Sequence, residues 1–257
     1  MKKTIFYIII LFVLSFNLYA QGSAGSNAKY EFTKLVDLPT TGVIEPGSIS
    51  TEILALPFGV VIGKVTVSPF RNFSFGISYG GENIIGTGSF KWYKKIGLNA
   101  KFKLFSDTKL IPALAIGFNS QGKGLYLDNL KRYENKSPGA YVAISKNYKM
   151  LGYFSLHAIL NYSLEVGDDD KNFNFQLGFE KTIGGFISLV GEYDFAFNDD
   201  KKIIGKTYGY LNFGIRASIS NSFTVGIDIK NILQNKNLPQ YKNLERGLFV
   251  DFVQPVF

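Results

Sequence analysis

The stretch NFNFQLGFEK, residues 172–181, decides the fold because apolar and polar side chains alternate along it without a break. Successive side chains of a β-strand point to opposite faces of its sheet. One face of this stretch is polar, and the other carries Phe173, Phe175, Leu177 and Phe179. The alternation therefore predicts a strand that separates a polar space from an apolar one.

The same alternation recurs along the chain, for example in GYLNFGIRASI (209–219) and SFTVGIDIK (222–230). A β-sandwich also alternates, but its polar face lies outside and its strands are usually shorter. About twelve runs are found, most of them close to the 9–11 residues of a tilted membrane strand. They lie near 48–56, 59–68, 73–80, 95–105, 110–119, 139–147, 153–166, 172–182, 186–197, 207–219, 222–231 and 245–254.

These runs predict an all-β fold, an antiparallel transmembrane β-barrel of about twelve strands that follows a cleaved signal peptide. Twelve is even, as in bacterial single-chain barrels, and ten or fourteen strands are the alternatives if neighbouring runs merge or split. Short turns such as IGGF (183–186) alternate with longer polar stretches such as 119–138. Short periplasmic turns and longer outer loops are typical of outer-membrane barrels.

The N-terminal residues predict export. Lys2 and Lys3 precede an unbroken apolar run from Ile5 to Leu14, and the small residue Ala20 precedes a polar stretch. This pattern is typical of a secretory signal peptide over residues 1–20, and an uncleaved anchor is the alternative. We expect residues 21–47 to form an N-terminal periplasmic segment and residues 48–257 to form the barrel.

The amino-acid composition limits the classes of molecule that the chain can bind. The chain has 28 Lys and Arg against 20 Asp and Glu, and no basic run occurs along it. Nucleic acid is therefore excluded as a partner, and lysines beside turns favour contact with anionic lipid or polysaccharide. The chain has no cysteine, which excludes disulfides and thiolate metal sites. We expect no cofactor and no bound metal, and DDD (168–170) is interpreted as a solvated outer loop rather than a cation site.

The C-terminal stretch LFVDFVQPVF (248–257) ends in a phenylalanine. It resembles the last strand by which outer-membrane barrels are delivered to the barrel assembly machinery. Phe257 is therefore the predicted assembly signal, and Pro255 is expected to mark a bulge or the end of the strand. The predicted location is the outer membrane of a Gram-negative bacterium, with outer-membrane lipid as a partner.

Three segments resemble the YjbH-like outer-membrane family: LVDLPTTGVIEPGSISTEI (35–53), IPALAIGFNSQGKG (111–124) and SPGAYVAISKNY (137–148). The resemblance implies a compact single barrel and a role in exopolysaccharide production, with polysaccharide as a partner. It implies no catalytic residues. The match covers about residues 35–150 and is carried by Pro39, Thr40, Pro46, Gly47, Pro112, Ala113, Gly117, Phe118, Tyr141, Ser145 and Lys146.

The stretch GYFSLHAILNYSLEV (152–166) contains the single histidine of the chain, with Ser155 two residues before it. Serine and histidine are the residue types of a nucleophile and its base. His157 has the parity of the polar face, however, whereas barrel phospholipases keep their serine and histidine on the lipid side. We therefore expect His157 to be a hydrogen-bonded wall residue of the lumen, with no catalytic residue in the chain.

Charged residues of the same parity are the other candidates for the lining of the lumen. Their mixed signs indicate a compensated set, because charges in a narrow lumen need partners. They form either a selectivity lining or a network of ion pairs that fills the lumen. The candidates, with His157, are Glu52, Lys64, Lys101, Lys103, Glu180, Glu192, Asp194, Arg216, Asp228 and Lys230.

Two classes of function follow from these patterns. The first is a non-enzymatic envelope barrel, either structural or involved in exopolysaccharide export. The second is a narrow, porin-like passive pore for small solutes. A barrel lipid hydrolase is a third and weaker alternative.

Overall fold

The structure is a computed structural model, and it describes residues 32–199, 203–206, 208–220, 222–237 and 244–256. The predicted signal peptide and Phe257 lie outside the described residues. A short 3₁₀ helix spans Phe197–Asp199. The strands are β1 (Ser48–Leu56), β2 (Val60–Phe70), β3 (Phe73–Glu82), β4 (Lys91–Trp92), β5 (Gly97–Phe105), β6 (Ala113–Asn119), β7 (Lys123–Leu127), β8 (Arg132–Asn135), β9 (Gly139–Lys149), β10 (Tyr153–Tyr162), β11 (Asn174–Ile183), β12 (Ile187–Asp194), β13 (Tyr210–Ser220), β14 (Phe223–Lys230) and β15 (Glu245–Pro255).

Twelve of these strands form a closed antiparallel barrel within the described residues. Each barrel strand pairs with the next along the chain, and β1 pairs with both β2 and β15, which closes the ring. The short strand β4 extends the sheet beyond β3 at one rim, and β7 and β8 form a separate hairpin. The predicted fold class and strand number are confirmed.

The strand bounds differ from the predicted ones mainly at the ends. The run predicted over 153–166 stops at Tyr162, because Glu165 leaves the sheet and its carboxylate accepts hydrogen bonds from the amides of Tyr133 and Ser137. These contacts lie in a loop beyond the rim. The alternation in the sequence continues past Tyr162, so the pattern alone did not show where the pairing ends.

The two faces of the wall differ as the alternation predicts. On β11, Gln176 is buried inside the barrel, whereas the neighbouring Leu177 is exposed on the outside. Most of the large exposed apolar side chains of the strands lie on this outer face, among them Ile53, Ile77, Leu98, Val142, Leu160, Phe213 and Ile227. An exposed apolar surface that surrounds a closed barrel is a lipid-facing surface.

Aromatic rings cluster near both rims. At one rim Phe70 stacks on Phe73 with ring centroids 5.0 Å apart, and at the other Tyr79 stacks on Trp92 at 5.7 Å. Phe175 and Phe195 also pack together at the second rim. Girdles of aromatic side chains at the two membrane interfaces are characteristic of transmembrane barrels.

Most connections at one rim are short, and most connections at the other rim are long. Residues 71–72, 106–112, 150–152, 184–186 and 221–222 join strands at the rim where β1 begins, and residues 57–59, 83–96, 120–138, 163–173, 195–209 and 231–244 join them at the opposite rim. The rim with long loops is the outer one in such barrels. The start of β1 and the end of β15 therefore lie at the periplasmic rim.

Within the described residues, no helix is long and apolar enough to cross a membrane.

Candidate functional site

The candidate site is the lumen. All eleven candidates from the sequence lie on the inner face of the wall, at alternate positions of their strands. Lys64 and Asp194 are partly exposed to the interior. The other nine are buried: Glu52, Lys101, Lys103, His157, Glu180, Glu192, Arg216, Asp228 and Lys230.

Residues 32–46, here called the plug segment, occupy the space that these side chains face. The segment folds into a tight turn in which the Leu35 amide donates to the Leu38 carbonyl at 2.9 Å and the Thr40 amide donates to the Thr33 carbonyl at 3.2 Å. Residues 21–47 were predicted from the sequence to form a periplasmic segment. The part described from Phe32 onward lies within the barrel, because its peptide groups find charged partners on the wall.

Glu192 on β12 holds the tip of this turn. Its carboxylate accepts hydrogen bonds from the successive amides of Val36, Asp37 and Leu38 at 2.9–3.0 Å. Asn212 on β13 donates a further bond at 2.9 Å. Successive backbone amides that converge on one anion form a nest, which satisfies a buried carboxylate without a counter-ion.

Arg216 on β13 anchors the same turn from the neighbouring strand. Its guanidinium donates from Nη1 to Asp228 Oδ1 at 2.6 Å and from Nη2 to the Leu35 carbonyl at 2.9 Å. The group also lies over the Phe249 ring, 4.7 Å from its centroid. Arg216 and Asp228 are each 1% exposed. A buried ion pair of this kind needs its additional hydrogen bonds to offset desolvation.

Asp37 places a negative charge of the plug segment beside two lysines. It forms ion pairs with Lys230 on β14, at 2.7 Å, and with Lys123 on β7. Burial is the largest single effect and would raise the pKa of Asp37, but the charges and hydrogen bonds of Lys123 and Lys230 together outweigh it and lower that pKa below its usual range. The Asp37 carboxylate is therefore ionised at neutral pH and connects the plug segment to the wall and to an outer loop.

Two further lysines hold the beginning of the plug segment. Lys34 forms an ion pair with Glu52 on β1. Lys101 on β5 donates to the carbonyls of Thr33 and Gly42 at 2.7 and 2.9 Å. The wall charges are thus compensated in large part by the plug segment, not only by each other as the sequence predicted.

Apolar contacts complete the fit between the plug segment and strands β9 to β12. Leu35 and Leu38 are fully buried in a cluster with Phe32, Val36, Tyr141, Ala143, Ile159 and Val190. Gly178 makes room for them, since a Cβ atom there would lie 2.4 Å from the Leu35 side chain. The plug segment therefore packs against an apolar part of the inner wall on β9 to β12 and is held by charged wall residues around it.

His157 lies beside the plug segment. Its Nδ1 lies 2.7 Å from Ser145 Oγ, and Ser145 Oγ accepts the Thr41 amide at 3.3 Å. Ser155, the serine that the sequence placed near His157, instead donates to Asn147 at 2.5 Å. The pairing of Ser155 with His157 that a catalytic interpretation needs is absent among the described contacts.

A cavity of about 110 Å³ is left between the plug segment and the wall. It borders the inner face of β1, β2, β3 and β5 and extends to the outer loops at Lys136 and Asn198. Toward the periplasm its lining reaches Ser50 and Thr66, and the next inward-facing residue, Ser68, is fully buried. Amides and lysines dominate its lining, among them Asn99, Asn119, Gln121, Asn161, Asn174, Gln176, Lys64, Lys101 and Lys123.

Outer loops pack over the other end of the lumen. Arg132 in β8 is fully buried and donates to Asp168 at 2.6 Å and to Asp199 at 2.9 Å, which joins three loops. Lys136 pairs with Asp168 at 2.8 Å. The DDD stretch is thus held by protein cations rather than solvated throughout, and the described residues contain no acidic or histidine cluster suited to a metal ion.

Comparisons with known proteins show the fold. No protein-family model matches the chain, and no curated protein matches it either. The KdgM porin is similar in structure, with a TM-score of 0.50 and 10% identity over 80% of this chain and 98% of that chain. Omp33 of Acinetobacter baumannii gives a TM-score of 0.46 and 9% identity over 80% of this chain and 96% of its own.

The chain is an outer-membrane β-barrel. This follows from the closed ring of twelve strands, the apolar outer face, the two aromatic rims and the fold shared with the KdgM porin. The predicted location, the outer membrane of a Gram-negative bacterium, is confirmed.

The wall side of the lumen was predictable from the sequence, but the plug segment was not predicted. Leu35, Val36, Leu38 and Ile44 lie close together in a stretch that was expected to be an N-terminal periplasmic segment. An apolar cluster in a periplasmic segment is the signal that could have indicated burial. Nothing in the sequence identified Glu192 as the partner of that segment.

Proposed function

We propose that the chain is a non-enzymatic barrel whose lumen is a narrow passage for small polar solutes, closed at rest by the plug segment. The observation that carries this proposal is the polar cavity between the plug segment and strands β1 to β5. A barrel with a purely structural function has no need of an unfilled polar space along its axis. Filling that space with apolar side chains would stabilise the barrel instead.

The character of the lining supports a polar solute. Amide side chains offer both donors and acceptors, and β3 and β5 contribute Ser74, Ser78, Asn99 and Lys101 to the lining. Lys64 makes no hydrogen bond or ion pair with the described residues, although Glu52 is its cross-strand neighbour. The passage therefore favours neutral or anionic solutes over cations.

The attachment of the plug segment supports its role as a gate. The segment is joined covalently to the wall where Gly47 leads into β1, and its other contacts with the described residues are hydrogen bonds, ion pairs and apolar contacts. Withdrawal toward the periplasmic rim would break these contacts without opening the strand ladder. The lumen can thus be emptied without unfolding the barrel.

Ion conductance in a planar bilayer tests the proposal. We expect rare, small openings for the wild-type protein and a steady current for a variant that lacks residues 32–44, because removal of the plug segment joins the cavity to the periplasmic rim. A faster mobility of the unboiled protein on a gel checks that each barrel is folded. A folded deletion variant that carries no current would contradict the passage.

The second candidate is a closed structural barrel, favoured by the apolar cluster that packs the plug segment against β9 to β12. If the barrel is purely structural, the variant that lacks residues 32–44 should be less stable than the wild-type protein and should show no conductance. A role in exopolysaccharide export, which the resemblance to the YjbH-like family implies, is a narrower proposal. Liposomes that contain the deletion variant test it: swelling in a monosaccharide but not in an oligosaccharide would contradict export.

A further inference from the structure

The lipid-facing surface has a groove over strands β1 to β3. It measures about 550 Å³ and is lined mainly by apolar atoms. We call it the outer groove and define it by Ile53, Gly63, Val65, Ile77, Tyr79, Lys94 and Ile96. The outer groove lies on the opposite side of the wall from the lumen cavity, so its function is independent of the proposed passage.

Gly63 forms the floor of the outer groove. In the register of the sheet it lies between Ile53 on β1 and Tyr79 on β3, and both of these project outward. A Cβ atom at Gly63 would meet nothing closer than the Tyr79 carbonyl oxygen at 3.9 Å. The glycine therefore leaves a notch between two flanking strands about 9–10 Å apart, which is wide enough for one acyl chain.

The upper end of the outer groove carries lysines. Lys94 and Ile96 come from the loop 83–96, which lies at the outer rim. Lys94 pairs with Asp128 at 2.5 Å. The adjacent Lys95 is exposed and has no ion pair with the described residues. A positive charge thus remains at the level where lipid headgroups meet water.

Trp92 extends the side of the outer groove toward the outer rim. Its ring stacks on Tyr79 with centroids 5.7 Å apart and an interplanar angle of 11°. Trp92 is 57% exposed. Tryptophan and tyrosine favour the membrane interface because one part of each ring system is apolar and another part bonds to water. The aromatic pair therefore marks the boundary between acyl chains and headgroups.

We infer that the outer groove binds a phosphorylated glycolipid of the outer leaflet, with one acyl chain over Gly63 and a phosphate beside Lys95 and Lys94. The apolar notch fits an acyl chain, Lys94 borders its outer end, and Lys95 is the next residue of the same loop. A zwitterionic phospholipid offers no net charge to these lysines. The outer leaflet also faces this rim and supplies lipids of the lipid A type.

Binding of purified lipids to the refolded, delipidated full chain tests the inference. Native mass spectrometry counts bound diphosphorylated lipid A, dephosphorylated lipid A and phosphatidylethanolamine. We expect one tightly bound molecule of diphosphorylated lipid A. The dephosphorylated form and phosphatidylethanolamine should bind about fivefold more weakly, because a lysine near an anionic headgroup contributes about 1 kcal/mol.

Two variants and their controls locate the site. Gly63→Leu fills the notch without a clash and is expected to weaken lipid A binding about tenfold, since the loss of two buried methylenes gives that factor. Lys95→Gln is expected to weaken it about fivefold. The controls are Ala140→Leu on the lipid face of β9 and Lys171→Gln in another outer loop, both exposed.

Two outcomes would overturn the inference. The first is equal binding of diphosphorylated and dephosphorylated lipid A by the wild-type protein. The second is equal loss of binding in Gly63→Leu and Ala140→Leu, which would indicate a general lipid surface. Gel mobility of the unboiled variants confirms that the barrels compared are folded.

Discussion

The carboxylate of Glu192 and the amide of Leu38 lie 2.9 Å apart, although 154 residues separate them in the chain. The same carboxylate also accepts the amides of Val36 and Asp37. One wall residue thus satisfies three buried donors that the turn itself leaves unpaired. Loss of this carboxylate would leave those donors without a partner inside the barrel.

We expect Glu192→Ala to loosen the plug segment without opening the barrel. Hydrogen bonds to a charged group contribute about 1.5–3 kcal/mol, so the open population should rise about tenfold or more. The chain has no native cysteine. Maleimide labelling of a single introduced cysteine, Thr41→Cys, measures the opening because Thr41 is buried.

Glu45→Cys is the matched control for this experiment, since Glu45 lies in the same segment but is exposed. It should be labelled rapidly whether or not Glu192 is present. Equal labelling of Thr41→Cys in both backgrounds would contradict the role of Glu192 as the anchor.

The ion pairs of Asp37 predict a loss of stability in acid. Because the folded state lowers the pKa of Asp37, its ionised form contributes stability above the unfolded value of about 3.9, and that contribution is lost as the pH falls below it. We expect the thermal midpoint, followed by gel mobility, to fall more steeply below about pH 4 in the wild-type protein than in Asp37→Asn. If the thermal midpoints of the two proteins fell in parallel as the pH decreased, the ion pairs of Asp37 would not be the source of this stability.

The two faces of β11 predict opposite responses to a new charge. Leu177→Arg places a guanidinium in lipid and should cost about 2–4 kcal/mol if it lies near the bilayer midplane. Gln176→Arg places the guanidinium inside the lumen, beside Asp194. In the wild-type protein the Asp194 carboxylate accepts a hydrogen bond from Gln176 at 3.1 Å. Urea unfolding in lipid vesicles measures both variants, and a larger loss for Gln176→Arg would reverse the assigned faces.

The hydrogen bonds of Ser155 and His157 predict no role in hydrolysis. Ser155 bonds to Asn147 and His157 bonds to Ser145, and all four are buried. We expect the double variant Ser155→Ala, His157→Ala to retain whatever phospholipid hydrolysis a wild-type preparation shows, with and without Ca²⁺. Removal of a catalytic pair would instead lower turnover by several orders of magnitude, about 10⁴-fold or more.

The barrel was predictable from the sequence because the strands separate lipid from the lumen, so their side chains must alternate between apolar and polar with a period of two. Every residue between lipid and lumen must suit one side or the other, so stretches such as 172–181 reveal both strand and face. The loop contacts of Glu165 were not predictable, since they depend on residues brought together only by the closed ring.

The contents of the lumen were harder to predict. The position of a wall charge shows that it needs a partner, but Arg216 finds one partner on the next strand and another on a segment 181 residues away. Distance along the chain carries no information about such a pairing. The outer groove was missed for a different reason, because a single Gly63 in an alternating strand leaves the pattern intact.

The position of the plug segment also bears on the order of assembly. The segment precedes every barrel strand in the chain, yet Glu192, Arg216 and Lys230 lie on β12 to β14, which are among the last four barrel strands to be synthesised. Contacts between such distant parts of a chain form slowly. The pairing of β1 with β15 closes the ring, and the segment can still enter through the periplasmic rim after that pairing. The wall can therefore be completed before its contents are in place, so a machine that catalyses insertion can release an open cylinder that fills afterwards.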